Sequence, residues 1–120
     1  MKRNCIFLGW NRPVTGREAG SMELFKSVTN YLKEKADKGV IEDYKPVILD
    51  THGGDLNGFI LIEGDHDKLH TLRNEDEFTE LMMNCSFHLQ EFGQLWGFCE
   101  DEVDEVMDNY GDLVKRYGDK

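Results

Sequence analysis

Phe59-Ile60-Leu61-Ile62 is apolar at every position and is closed by Gly64-Asp65. A strand with one wetted face alternates apolar and polar residues, so this run reads as a strand buried on both sides. Cys5-Ile6-Phe7-Leu8, ended by Gly9 and Trp10, has the same character. Two such strands belong in the middle of a sheet, and the rest of the chain can be arranged around them.

Between them lie a helix and a strand. Asn11 to Gly16 is a loop punctuated by Pro13 and Gly16, and Thr15 with Glu18 has capping-box spacing for a helix start near Gly16. Phe25, Val28, Tyr31, Leu32 and Ala36 follow the helical period until Gly39 supplies the stop. Ile41 to Asp50 is the next strand, and Pro46, which has no amide donor, places it at a sheet edge. Thr51-His52-Gly53-Gly54-Asp55 is the turn into the central run.

Beyond that run, Leu69 and Leu72 mark a short helical turn. Asn74 with Glu77 signals a fresh helix start, continued by Phe78, Leu81, Met82 and Cys85. Phe87 to Phe98 reads as the last strand, with a bulge near Gly93. Val103, Val106, Met107, Tyr110 and Val114 mark an amphipathic C-terminal helix. Its acids lie in the first turn and Lys115-Arg116 in the last, as the helix dipole favours.

The order β-α-β-β-α-β-α is the split βαββαβ, ferredoxin-like α+β pattern with an extra C-terminal helix, in one domain over residues 1–120. Right-handed crossovers put the first and third strands at the centre of a four-stranded antiparallel sheet. Helices cover one face. The other, carrying apolar residues from both central strands and from Phe92, Leu95, Trp96 and Phe98, is too greasy to be left to water. Sheet-to-sheet homodimerisation is the expected cover, and folding back of the C-terminal helix is the alternative.

The 24 acidic and 14 basic residues give a formal charge of −10. That field repels nucleic acid and anionic membrane surfaces, so neither is an expected partner. No apolar run is long enough to span a bilayer, and the N-terminal run is too short for a signal peptide, so a cytoplasmic location is expected. Cys5, Cys85 and Cys99 show no CxxC spacing and read as reduced, packed thiols.

The layout resembles the dimeric α/β-barrel superfamily, in which two ferredoxin-like units stack their sheets. The blocks Phe7-Leu8-Gly9-Trp10-Asn11-Arg12-Pro13, Gly16-Arg17-Glu18 and His52-Gly53-Gly54-Asp55-Leu56-Asn57-Gly58-Phe59 resemble an uncharacterised bacterial family of small proteins. The resemblance implies the fold and the dimer. It implies no particular chemistry, since superfamily relatives include cofactor-free monooxygenases, isomerases, haem-degrading enzymes and members without known catalysis.

Topology brings the loop after Trp10, the first helix start and the His52–Asp55 turn to one rim, with His88 nearby. Trp10, Arg12, Arg17, His52, Asp55 and His88 are therefore the candidate ligand-binding residues. Arginines suit an anionic ligand, Trp10 a flat apolar group, and His52 beside Asp55 proton transfer. The same residues also suit a structural role, as loop-pinning ion pairs and a tight turn. His66 and His70 share a helical face, but no HExxH context or cysteine support makes them a metal site. No phosphate loop or nucleophile elbow is present, and no cofactor is implied. The expected function is binding of a small anionic or aromatic molecule, possible catalysis being metal-independent. The alternative is a non-catalytic homodimeric interaction protein.

Overall fold

The computed structural model describes residues 1–118. Its elements are β1 (Cys5–Trp10), α1 (Glu18–Asp37), β2 (Asp43–Ile48), β3 (Gly58–Glu63), α2 (His66–Arg73), α3 (Asp76–His88), β4 (Gly93–Gly97) and α4 (Asp101–Leu113), followed by a π-helical turn, Val114–Gly118. The strands form one sheet in the order β2-β3-β1-β4, every neighbouring pair antiparallel. β3 and β1 are central, as their apolar runs require, and Pro46 lies on the β2 edge.

Register divides the side chains cleanly. Ile6, Leu8, Ile60 and Ile62 point to one face, where they meet Leu24, Val28, Tyr31, Leu32, Leu69, Leu72, Phe78 and Met82 from the helices. This is the core; Ile6, Ile62, Leu69 and Leu72 are fully enclosed. The opposite face carries the row Val47-Phe59-Gly9-Gly93 and the row Lys45-Leu61-Phe7-Leu95. Phe7 and Phe59 stack there at 5.3 Å, while Leu95 remains 64% exposed. α4 does not close this face. No α4 residue is buried, and its ties run to the chain start, where the Met1 ammonium meets Glu105 at 2.8 Å and the Lys2 amide donates to Glu102. Val103, Met107, Tyr110 and Leu113 of its apolar stripe stay exposed.

Several elements depart from the sequence expectation. The last strand is only Gly93–Gly97, because α3 continues through Phe87 and His88 and the chain then turns at Glu91, whose φ is +54°. Burial of Cys85 and the clamp of Arg17 on the Phe87 carbonyl hold that extra helical turn. The second strand covers Asp43–Ile48, shorter than Ile41 to Asp50, since Ile41 is used in the core. The Thr15–Glu18 box does not form: Arg17 is the α1 N-cap and makes no side-chain cap. Asn74 ends α2, its amide donating to the His70 carbonyl, and Glu75 rather than Asn74 precedes α3. The stretch around Leu69 and Leu72 is a full helix, capped by the Asp65 carboxylate, which accepts from the Asp67 and Lys68 amides at 3.1 and 3.2 Å.

Candidate ligand cavity at the β1 rim

β1 ends at Trp10 opposite Gly58, the first residue of β3, so the β1–α1 loop and the β2–β3 turn share one end of the sheet. Side chains there fix the two loops to each other. The Asn57 amide donates to the Trp10 carbonyl at 2.9 Å, and the Asn57 side chain donates to Asn11 Oδ1. Asn11 is buried, and its backbone amide donates to Gln90, adding the α3–β4 loop to the same knot.

Glycine allows the Trp10 indole to lie flat across the strand. A Cβ on Gly58 would sit 2.6 Å from Trp10 Cζ2 and 2.8 Å from Nε1. The indole then meets Phe25 edge-on at 6.3 Å. Beneath this pair, between sheet and helices, is a cavity of about 710 Å³. Such a volume is ordinary for a small-molecule site. Trp10, Phe25, Leu49, Leu89 and Phe92 give it an apolar wall, and Met22 and Ile48, both about two-thirds exposed, stand at its mouth.

Polar groups in the wall are few. Arg12 and Lys26 are its cations, and among the described residues it contains no carboxylate or imidazole. The nearest side-chain acceptor for Arg12 is Asn11 Oδ1, 3.4 Å from Nε, which leaves the rest of the guanidinium fork free of any carboxylate among the described residues. Cys85 also faces the cavity, and burial pushes its thiol up to about 11, so it stays protonated near neutrality.

The candidate residues thus separate. Trp10 and Arg12 line the cavity; Arg17, His52, Asp55 and His88 surround the same rim without lining it. The Arg17 guanidinium stacks on Phe87 at 3.8 Å and donates to its carbonyl at 2.8 Å, joining α1 to α3. His52 spends both ring nitrogens on its own turn. Nδ1 accepts from the Gly54 amide, which leaves the proton on Nε2 to donate to the Leu56 carbonyl at 2.7 Å. Asp55 is exposed in that turn. His88 donates from Nδ1 to the Asn84 carbonyl and lays its ring against Gly20. Of the other two histidines, His66 is similarly engaged, its Nδ1 bonding the Arg3 carbonyl at 2.8 Å and its ring packing on Trp96, while His70 stacks on His66 at 6.3 Å.

Lys26, Phe25 and the Asn11–Asn57 knot were not singled out by the sequence. Phe25 shows only as one core position of a periodic helix, and Lys26 as part of a solvated face. Nothing local pairs asparagines 46 positions apart.

No protein-family model and no curated protein matches the chain. Among solved structures, it is similar to a dimeric protein of unknown function and ferredoxin-like fold from Bacteroides fragilis NCTC 9343. The TM-score is 0.58 and the identity 8%, over 79% of this chain and 94% of that one. The chain is thus an α+β protein of ferredoxin-like fold, with α4 as an addition to the basic pattern.

Proposed function

We propose that the protein is a homodimer that binds a small molecule with an apolar body and an anionic end. The carrying observation is the wall of the 710 Å³ cavity: mostly aromatic and aliphatic, with Asn11, Ser21, Thr51 and Asn57 as neutral polar groups and Arg12 and Lys26 as its charged groups, in a chain whose formal charge is −10. Acids outnumber bases along the sequence, yet the wall holds two cations and no described carboxylate; Lys26 meets Glu23 at 3.7 Å on the exposed helix face, so Arg12 is the cation that would favour negative charge there. The apolar body would lie against Trp10, Phe25 and Phe92, and the anionic end would take the open fork of Arg12. Among the described residues the wall contains no carboxylate or imidazole to abstract a proton, and burial keeps the Cys85 thiol protonated near neutrality, which favours binding over catalysis.

Thermal shift and calorimetry with decanoate, indole-3-acetate, decan-1-ol and decylamine test this reading. The two carboxylates should stabilise the protein, and Arg12→Ala should weaken decanoate binding about 10-fold or more, as for a lost charge-assisted bond. Equal binding of decan-1-ol, or no binding of any of the four, would sink it.

The second reading is a homodimeric interaction protein whose purpose is the open sheet face. Its support is the unbroken apolar surface of Phe7, Phe59, Leu61, Val47 and Leu95, together with the dimeric state named for the structural neighbour. Sheet-on-sheet packing of two copies, the dimeric α/β-barrel arrangement, would bury it. The cavity lies on the opposite side of the sheet, so the two readings are compatible. Sedimentation should give a dimer, and Leu95→Asp a monomer; a wild-type monomer at high concentration would remove the sheet-face dimer.

A further inference from the structure

We propose that Cys5 and Cys99 form a dithiol–disulfide redox pair that fastens the root of α4 to the first strand. The residues are 94 positions apart, yet their sulfurs lie 2.7 Å from one another, within about 0.7 Å of the usual disulfide bond length. Both thiols are free. Their approach is built by the backbone. Cys5 pairs with Gly97 across the β1–β4 ladder, and Gly97 has no side chain to stand between the sulfurs; a Cβ there would lie 3.2 Å from Cys5 Sγ. Asn4 then clamps Cys99 from both sides, its Oδ1 accepting from the Cys99 amide at 2.7 Å and its Nδ2 donating to the Cys99 carbonyl at 2.9 Å. The next residue, Glu100, turns the chain with φ +55° into α4.

The two thiols are unequal. Cys5 is buried, and burial followed by its contact with Cys99 pushes it up to about 12, so it is a poor first nucleophile. Cys99 is half-buried and reachable. With glutathione disulfide as oxidant, the Cys99 thiolate attacks one glutathione sulfur and the first glutathione thiolate departs. Cys5 then gives up its proton and attacks Cys99 Sγ, and the second glutathione thiolate departs. The two departing thiolates take up the two protons, so two protein thiols are oxidised and one glutathione disulfide is reduced. Cys85 lies in the cavity wall, apart from this pair, and serves as an internal control. A pair so placed, in a chain with no sequence sign of a disulfide framework, acts as a reversible sensor rather than as a structural staple.

The test uses the full chain, reduced, freed of reductant and incubated with excess glutathione disulfide. Alkylatable thiols after denaturation should fall from three to one. Digestion with trypsin and a glutamate-specific protease, which separates Cys85 from Cys99 at Glu91, should yield a peptide joining Cys5 to Cys99 within one chain. Closing so long a loop should raise the thermal midpoint by more than about 10 °C, reversibly with a phosphine reductant. Cys99→Ser should retain two thiols and lose the shift, and Cys85→Ser should lose neither the crosslink nor the shift. Three surviving thiols, a stable mixed disulfide left on Cys99, or a crosslink through Cys85 or between two chains would each overturn the proposal.

Discussion

Replacing Gly58 by alanine adds one methyl group, and its consequence can be worked from two distances. The new carbon would lie 2.6 Å from Trp10 Cζ2 and 2.7 Å from Cε2. Unstrained carbons sit about 3.5–4.0 Å apart, so the indole must retreat by roughly 1 Å. It cannot do so freely, because Phe25 backs it and the Trp10 backbone is held in the ladder opposite Gly58. Gly58 itself is in ordinary extended strand without positive φ, so the backbone accepts alanine and the whole penalty falls on the ring. Overpacking of this kind costs about 1–3 kcal/mol. Urea unfolding followed by far-UV circular dichroism should show the loss, and near-UV dichroism a changed Trp10 environment. The decisive control is the same substitution in a Trp10→Leu background. With the ring gone, alanine restricts only the unfolded chain, and Gly58→Ala should become neutral or stabilising by up to about 1 kcal/mol. An equal cost in both backgrounds, or no cost in the native one, would refute the account of Trp10 as a ring laid over a glycine.

Further expectations concern sites away from that ring. Gln94 Oε1 is buried without a hydrogen-bond partner among the described residues, so Gln94→Met should leave stability unchanged or raise it by about 1 kcal/mol in urea unfolding. Asn4→Ala removes both clamps on Cys99 and should cost about 1–3 kcal/mol by the same assay, with earlier proteolysis at the root of α4. Stability should fall as pH rises above about 9. The Cys85 thiol is held protonated in the fold, to about 11 against 9.0 for the ordinary group, so between those values the unfolded chain binds fewer protons than the native one. The sign is therefore negative and the Cys85 share of the loss is on the order of 2–3 kcal/mol; Cys85→Ala should remove that share from a denaturation profile taken from pH 8 to 11 and leave the slope that Cys5, raised in the same direction, contributes. Phe78→Ala, at a fully enclosed position, should cost about 3–5 kcal/mol in the same unfolding assay.

The sheet was readable because its signals are local and mutually consistent. Phe59–Ile62 and Cys5–Leu8 have no polar side for water, and Pro46 withholds a donor, which together fix centre and edge. The stretch from Phe87 to Phe98 misled because its apolar residues fit a strand, whereas the extra turn of α3 depends on Arg17, seventy positions away, bonding the Phe87 carbonyl. The rim shared by Trp10, Arg12, Arg17 and His52 follows from strand direction alone. Which of them face a cavity does not. His52-Gly53-Gly54-Asp55 looks the same in sequence whether the imidazole is free or consumed by its own turn, and the structure consumes it. Lys26 reads as solvated surface until the cavity beside it is seen.

Pro46 has a consequence for how copies of the chain can meet. A sheet normally offers two rims of unpaired amides and carbonyls, and either can recruit a foreign strand into an endless ribbon. Here the β2 rim lacks a donor at its middle, and the opposite rim belongs to a five-residue strand flanked by glycines. Lateral growth is therefore poorly templated on both sides. The proposed sheet-to-sheet dimer would then be a self-limiting contact, with neither rim offering a good template for fibres.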